Sequence, residues 1–279
     1  MKKEDKKSNL PWRYRPKYLS IYLWLNNLFK KEDITVVIGV KDRYSFRMIN
    51  SLKSIRNQDY PQALIKIIIV DYDTKKELIQ KFKKMIGKYN ANYIRVNNKP
   101  LWSRAHAMNI GIKRTTTKYI LCSDEDIIFE RDYIKRAIKE LQKNSFQVIL
   151  SQCFDLPKIK INKIDFNKFK RLAKPRDIYK RKCAYGINLT LRYFYYKVRG
   201  YDEFYKLWGY EDKDLIKRFE MFGLNIKLIK NKSIYFHQWH PKYRGIKIKG
   251  YEKQIRKNKE YKNKTNSIIR NKAGWGEIN

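Results

Sequence analysis

The spacing of hydrophobic and polar positions is regular from residue 34 onward and alternates between two periods. Short continuous runs rich in Ile and Val, which are typical of buried strands, lie at 34–40, 65–73, 92–96 and 118–126. Apolar residues three or four positions apart predict helices over 44–55, 76–89, 104–114 and 131–143. Because strands and helices alternate, the pattern predicts an α/β fold with a mainly parallel central sheet flanked by helices.

The second half of the chain is less regular. Residues 157–182 are basic and follow no clear period, so we interpret them as a loop or flexible excursion between two halves. Strand or short-helix patterns return over 186–203, and a helical stripe within 207–223 ends at a glycine that can cap it. Strand material follows over 225–240.

Three regions are expected along the chain. In order, they are an N-terminal arm over 1–33, an α/β domain over 34–245 with halves 34–130 and 131–245, and a Lys-rich tail over 246–279. The arm mixes aromatic residues such as Trp12 and Tyr18 with Arg and Lys. This composition suits a helix lying in a membrane interface, and it also suits an arm packed on its own domain.

The chain is strongly basic, with 65 Lys+Arg residues against 27 Asp+Glu and a formal net charge of +38. The excess predicts attraction to polyanions such as nucleic acid, an anionic membrane surface, nucleotide phosphates or an acidic polysaccharide. An AT-rich coding sequence would also enrich Lys, Asn, Ile and Tyr, and it explains much of the excess equally well.

The cysteines and the hydropathy bear on location. Cys122, Cys153 and Cys183 have neither short-range pairing nor metal-ligand spacing, which favours a reducing compartment. No segment approaches the roughly 20 apolar residues that span a bilayer. The N-terminus lacks the order of a secretory signal. We therefore expect a cytoplasmic protein, either free or peripheral to a membrane.

Acidic residues follow several of the predicted strands. Asp42 follows the first strand, Asp71 ends the second, and Asp124 and Asp126 end the fourth. Parallel strands place their carboxyl ends at one edge of the sheet, where ligands of such folds bind. Carboxylates repel one another, so the cluster indicates either a solvated turn or a divalent cation such as Mg²⁺ or Mn²⁺, which takes hard oxygen ligands.

Two further groups carry candidate chemistry. Glu211 and Asp212 begin a predicted helix, where carboxylates cap the helix or serve as a general base. His237 and His240 end a predicted strand, where they are structural or ligate a metal. The phosphate-binding patterns GxxxxGK[ST] and GxGxxG are absent from the sequence, and so is the GxSxG pattern of acyl chemistry.

Four stretches in order resemble the nucleotide-sugar glycosyltransferases of the GT-A type, especially family 2 and the related galactosyltransferase-like C-terminal module. They are SLKSIRNQDYPQALIKIIIVDYDT, SRAHAMNIGIKRTTTKYILCSDED, RGYDEFYKLWGYEDKDLIKR and YFHQWH, within about residues 34–241. They are similar to the family's strand ending in VDDGS, its ARN-x-G helix with the DxD motif, its WG-x-ED acceptor motif and its strand-end histidine. The sequence departs from the family where VDDGS reads VDYDT and where Glu125 stands inside the DxD motif.

The resemblance implies a GT-A fold whose first half, 34–130, binds a UDP-sugar donor and whose second half, 131–245, binds the acceptor. It implies that Asp42 and Asp71 contact the uridine, Asp71 being the uracil partner, and that Arg104 faces the donor sugar or its diphosphate.

The metal ligands are implied in the same way. Asp124 and Asp126 would hold the donor through Mn²⁺ or Mg²⁺, with Asp126 as the direct ligand. His237 would be a further ligand, with His240 as its competitor.

The resemblance also implies the acceptor site and the base. Trp208, Gly209 and Glu211 would shape the acceptor site. The catalytic carboxylates would be Glu211 and Asp212, with Asp212 as the base of an inverting transfer to a hydroxyl of a glycan or lipid-linked acceptor. Because Asp212 stands at a helix N-terminus, we expect its pKa to stay low.

Two other classes of protein share some of these features. A nucleotidyltransferase would share the fold style and the acidic metal site, but it would turn over a nucleoside triphosphate. A nucleic-acid-binding protein would explain the positive charge and the interleaved aromatic residues. It would leave the acids at the strand ends unexplained, so we do not expect nucleic acid as a partner.

Overall fold

The computed structural model describes residues 31–97, 101–176, 183–207, 209–230, 234–241, 250–262 and 267–278. The described residues belong to one compact unit, Glu32–Asn279, apart from Lys31. Residues 1–30, which make up most of the predicted arm, lie outside the described residues. Among the described residues, no helix combines the length and apolar character needed to cross a bilayer.

The strands are numbered in chain order. They are β1 (Ile34–Val40), β2 (Ile65–Tyr72), β3 (Asn92–Val96), β4 (Tyr119–Ser123), β5 (Ile127–Phe129), β6 (Gln147–Ser151), β7 (Cys153–Asp155), β8 (Lys174–Pro175), β9 (Asn188–Leu191), β10 (Asn225–Ile229) and β11 (Tyr235–His237). The helices are α1 (Phe46–Arg56), α2 (Lys76–Lys88), α3 (Arg104–Lys113), α4 (Tyr133–Lys143), α5 (Phe166–Leu172), α6 (Arg192–Lys197), α7 (Glu211–Phe222) and α8 (Tyr251–Tyr261).

The central sheet has seven strands in the order β10-β6-β9-β4-β1-β2-β3. β1 runs parallel to β2 and β4, β3 runs parallel to β2, and β10 runs parallel to β6. Only β9, between β4 and β6, is antiparallel to its neighbours within this sheet. The predicted mainly parallel sheet is therefore confirmed, and the β-branched run of β1 is buried along its whole length.

The parallel register brings the ends of three strands to one edge of the sheet. Val40 pairs with Asp71 at the ends of β1 and β2. Ile38 pairs with Ser123, the last residue of β4. The chain segments that follow these strands, with Asp42 and Asp124, therefore leave the sheet at the same edge as Asp71.

A second sheet has the order β5-β11-β7-β8, and its strands are interleaved along the chain with β6, β9 and β10 of the central sheet. β11 is antiparallel to β5 and parallel to β7. This register pairs His237 with Ile127 on one side and with Asp155 on the other. The small sheet therefore brings His237 beside the residue that follows Asp126.

The interpretation of the basic segment as a loop is wrong for residues 166–175, which form α5 and β8, whereas residues 157–165 contain no helix or strand. Asp165 caps α5 by accepting a hydrogen bond from the backbone N–H of Lys168 at 2.9 Å, and β8 pairs with β7. Phe166 and Phe169 pack on Phe236 of the second sheet. The segment thus buries its apolar side chains against the second sheet. In the sequence, the frequent lysines obscure the short helical spacing of these apolar residues.

The described end of the Lys-rich tail packs on the domain. Trp275 is buried, and the Asn271 amide donates to the backbone oxygen of Arg199 at 2.7 Å. The backbone N–H of Gly276 donates to Glu203 at 2.8 Å. These contacts join residues 267–278 to the compact unit.

Candidate active site

Three side chains from two distant parts of the sequence converge at one end of the second sheet. Nε2 of His237 lies 3.6 Å from Oδ2 of Asp126, and Nε2 of His240 lies 3.3 Å from the same oxygen. One ligand atom from each of the three residues lies within 4.8 Å of the others. Among the described residues, this is the one His/Cys/Asp/Glu group with such spacing.

Both imidazole rings are oriented through their other nitrogen. Nδ1 of His237 lies 3.0 Å from Oδ1 of Asp155, and that carboxylate accepts a 2.8 Å hydrogen bond from Nε of Arg176. Nδ1 of His240 lies 2.8 Å from the backbone oxygen of Pro241. With each Nδ1 engaged, each Nε2 faces Asp126, which is the arrangement of metal-ligating histidines.

The donor set of this cluster fits a divalent cation. Two imidazole nitrogens and one carboxylate are ordinary ligands of first-row transition ions. Mg²⁺ prefers oxygen ligands throughout, so the two nitrogens favour Mn²⁺ over Mg²⁺. His237 and His240 were expected to compete for one position, and both of them face Asp126.

Asp124 lies beside Arg104 at the edge of the central sheet. Nε of Arg104 donates to Oδ1 of Asp124 at 2.7 Å, and Nη2 donates to the backbone oxygen of Gly186 at 2.7 Å. Nη1 of Arg104 is buried without a hydrogen-bond partner. The fixed guanidinium therefore keeps one group of donors for a ligand.

Asp212 reaches the same place from the start of α7. A Cβ atom added to Gly186 would lie 3.6 Å from Oδ2 of Asp124, 3.7 Å from Nη2 of Arg104 and 3.9 Å from Oδ2 of Asp212. The space beside this glycine is thus bordered by two carboxylates and one guanidinium. The glycine leaves room there that a side chain would fill.

Burial changes the protonation of the acids at the start of α7. It raises the pKa of Glu211 to about 7, and the adjacent Asp212 adds to the rise. Burial also raises the pKa of Asp212, although the charge of Arg104 opposes the rise. The expectation of a low pKa for Asp212 is therefore wrong, because burial outweighs the helix terminus.

The remaining predicted acceptor residues stand just before α7. Gly209 has a left-handed backbone with φ of 99°, which lets the chain turn into the helix at low cost. Trp208 lies outside the described residues.

The two aspartates predicted to bind uridine lie together at the sheet edge. The backbone N–H of Asp42 donates to Oγ1 of Thr74 at 2.9 Å, and the backbone N–H of Thr74 donates to Oδ1 of Asp71 at 2.8 Å. Asp71 is fully buried, and its Oδ2 accepts from Tyr93 and, at 2.6 Å, from Nη1 of Arg95. Both oxygens of Asp71 thus bind protein groups, whereas Asp42 is exposed.

Several residues beside the metal-ligand cluster were not predicted from the sequence. Nε of Arg43 lies 3.5 Å from Glu125. Arg176 and Asp155 flank His237, and the backbone N–H of Gln238 donates to the backbone oxygen of Asp126 at 3.0 Å. Arg43 stands only a few residues after β1, which is the one signal that could have identified it; the others depend on the pairing of the second sheet.

Comparison with known families gives two matches. A family model described as glycosyl transferase family 2 matches residues 35–197. A second model, described as the N-terminal domain of galactosyltransferase, matches residues 166–241. Together these matches span Arg104, Asp126, Asp212 and both strand-end histidines.

Two similar proteins of known sequence are, by name, a glycosyltransferase and a synthase. An uncharacterized glycosyltransferase of Rickettsia bellii (strain RML369-C) is 30% identical over 135 residues, which are 46% of this chain and 18% of that protein. A poly-beta-1,6-N-acetyl-D-glucosamine synthase of Staphylococcus epidermidis is 32% identical over 97 residues, which are 34% of this chain and 22% of that protein. The chain spans about a fifth of the length of these relatives.

Among solved structures, the chain is similar to S. aureus TarS. The crystal structure of TarS has a TM-score of 0.58 at 15% identity and covers 75% of this chain and 37% of that chain. The structure of TarS 1-349 in complex with UDP has a TM-score of 0.56 at 16% identity and covers 75% of this chain and 61% of that chain. At these identities, the likeness shows a shared fold.

Proposed function

Since the chain belongs to glycosyl transferase family 2 and is therefore a glycosyltransferase, we propose that it transfers a sugar from a UDP-sugar to an acceptor hydroxyl with the help of a divalent cation. The observation that carries this proposal is that two clusters of ionisable side chains lie next to each other. One is Asp126 with its two histidines, and the other is Arg104 with Asp124 and Asp212.

Asp126, His237 and His240 would hold the cation, and Mn²⁺ suits their nitrogens better than Mg²⁺. A bound cation would supply positive charge next to the diphosphate, which becomes more negative as the glycosidic bond to the sugar breaks. Asp155 and Pro241 would keep the two imidazole rings directed at the cation through their Nδ1 contacts.

Arg104 would bind the donor directly. Its guanidinium is held by Asp124 and by the backbone oxygen of Gly186, so its direction is fixed before the donor arrives. Its buried and unpartnered Nη1 would donate to a phosphate or sugar oxygen. A guanidinium fixed in this way would stabilise the leaving nucleoside diphosphate without having to reorganise.

Asp212 would accept the proton of the acceptor hydroxyl, in an inverting single displacement. Its raised pKa makes it a stronger base than an exposed aspartate, and Arg104 favours its ionised form. Glu211, with a pKa of about 7, would hold a proton for part of the time at neutral pH and would shape the acceptor site with Gly209.

The acceptor is a hydroxyl of a glycan or of a lipid-linked glycan in this proposal, and the role is polysaccharide synthesis. The name of the S. epidermidis relative supports this class of acceptor, and the TarS complex with UDP supports the donor class. The net charge of +38 suits an acceptor held at an anionic membrane surface.

The test is a panel of nucleotide sugars with Mn²⁺ and candidate acceptors, read as UDP release and sugar transfer. Wild type is compared with Asp126→Ala. Asp59→Ala serves as a matched control, because Asp59 is an exposed aspartate that follows the C-terminal end of α1. We expect release from a UDP-sugar in wild type and in the control, and a loss of at least about a hundredfold in Asp126→Ala. Unchanged release in Asp126→Ala would remove the cation from the proposal.

A further inference from the structure

Gln238 stands between the two histidines, and its backbone is tied to the third member of the metal-ligand cluster. Its N–H donates to the backbone oxygen of Asp126 at 3.0 Å. The hydrogen bond continues the pairing of β11 with β5, in which His237 lies opposite Ile127. The segment carrying the histidines and the segment carrying Asp126 are thus joined at the cluster itself.

The side chain of Gln238 points into the protein and binds helix α1. Only 1% of the residue is exposed. Its Nε2 donates to the backbone oxygen of Arg47 at 2.9 Å, and its Oε1 accepts from Nδ2 of Asn50 at 3.0 Å. Asn50 is buried as well. Both ends of the amide are therefore fixed by the first turns of α1.

This anchor determines where the two histidines point. Successive side chains of an extended strand face opposite ways, so a Gln238 that faces α1 turns His237 away from α1. The chain must then bend after β11 for His240 to return to Asp126. Hydrogen bonds are directional, whereas an apolar side chain of similar size would fill the same space without fixing the bend.

We propose that Gln238 is a positioning residue of the metal centre, which holds the turn over 237–240 against α1 so that both Nε2 atoms converge on Asp126. The inference rests on the proposed function, because it takes the cluster of Asp126, His237 and His240 to bind a divalent cation. Gln238 itself contributes no ligand atom. Its effect is on the affinity for the cation, through the placement of its neighbours.

The test compares two volume-conserving variants of the full chain, Gln238→Met and Gln58→Met. Gln58 is a matched control, because its buried amide donates to the backbone oxygen of Glu130 at 2.7 Å and accepts from the backbone N–H of Ile134 at 2.9 Å, beyond the other end of α1. The dissociation constant for Mn²⁺ is measured from the electron paramagnetic resonance signal of the free ion. The unfolding midpoint without metal is measured in parallel.

We expect both variants to unfold at lower denaturant concentration, since each removes hydrogen bonds from buried polar groups. Only Gln238→Met should weaken Mn²⁺ binding, by roughly tenfold to a hundredfold. Asn50→Ala removes one of the two anchoring bonds and should weaken binding by about fivefold. If Gln238→Met does not fold, the Mn²⁺ affinity of Asn50→Ala still tests the inference.

Two results would overturn the inference while leaving the proposed function in place. One is an unchanged Mn²⁺ affinity in both Gln238→Met and Asn50→Ala. The other is an equal loss in Gln58→Met, which would mean that general destabilisation is the cause. A wild-type chain that does not bind Mn²⁺ at millimolar concentration would overturn both the inference and the cation in the proposed function.

Discussion

Nε2 of His240 lies 3.3 Å from Oδ2 of Asp126, and His237 approaches the same oxygen from 3.6 Å. The sequence left these two histidines as competitors for a single ligand position. In the fold they are partners, because the turn after β11 brings His240 back to the carboxylate that His237 already faces. In the proposed metal site, two nitrogen donors would affect both the affinity for the cation and the choice of cation.

His237→Ala and His240→Ala should each weaken Mn²⁺ binding by about a hundredfold or more, because each removes one of three protein ligands. Calorimetric titration of the metal-free protein measures this loss. His106→Ala is the matched control, since His106 instead contacts the Tyr72 hydroxyl at 2.9 Å. Full Mn²⁺ affinity in His240→Ala would reduce the site to Asp126 and His237.

The choice of ion follows from the same nitrogens. After removal of metal with EDTA, we expect Mn²⁺ to restore UDP release at concentrations at least about tenfold below those needed of Mg²⁺, which binds imidazole poorly. His240→Asp replaces a nitrogen donor by oxygen and should therefore reduce the difference between the Mn²⁺ and Mg²⁺ concentrations that restore UDP release. Equal restoration of wild type by the two ions would argue against nitrogen ligation.

Asp212→Asn should lower kcat by about 10²–10⁴-fold, because an amide cannot accept the acceptor proton. The affinity for UDP, measured by calorimetry, should change little, since the proposed mechanism places Asp212 on the acceptor side of the donor sugar. Asp165→Asn is the control, because Asp165 is an exposed cap of α5. If Asp212→Asn lost UDP binding and turnover in parallel, Asp212 would have to be assigned to the donor site.

Much of this arrangement was predictable from local sequence. The β-branched runs predicted the strands of the parallel sheet, and the four ordered stretches predicted the GT-A fold and the family, which the TarS likeness and the family match confirm. The proximity of Asp126 to His237 was not predictable from residue spacing in the sequence, because it depends on antiparallel pairing of β5 with β11. The docking of the C-terminal segment depends on a close approach, in which a Cβ on Gly276 would lie 2.7 Å from the backbone oxygen of Asn109.

Stability should fall as the pH rises from about 4.5 to about 7. Burial raises the pKa of Glu211 and of Glu125 to about 7, so the folded state holds these protons more tightly than the unfolded state does. The stabilising contribution of the two protonated carboxyl groups is complete below their pKa in the unfolded chain. It is lost as the pH rises through their pKa in the folded protein.

Glu211→Gln mimics the protonated acid. It should flatten this dependence and raise the unfolding free energy at pH 8 by on the order of 2 kcal/mol. Urea unfolding at pH 5 to 8 measures the effect. Glu140→Gln should keep the wild-type slope, because Lys143 lowers the pKa of Glu140 out of this window. A wild-type slope in Glu211→Gln as well would show that Glu211 is not desolvated in solution.

The C-terminal segment should contribute to stability through a buried ion pair. Nη1 of Arg270 lies 2.6 Å from Oδ1 of Asp214, and Nε of Arg218 donates to the other oxygen of that carboxylate at 2.7 Å. Removing one cation from such a network leaves excess buried negative charge, so Arg270→Met should lower the unfolding free energy by about 3–5 kcal/mol. Lys272→Met, at an exposed position two residues away, should change it by less than about 0.5 kcal/mol. Urea unfolding curves that coincide for the two variants would mean that the segment does not hold its position on the domain.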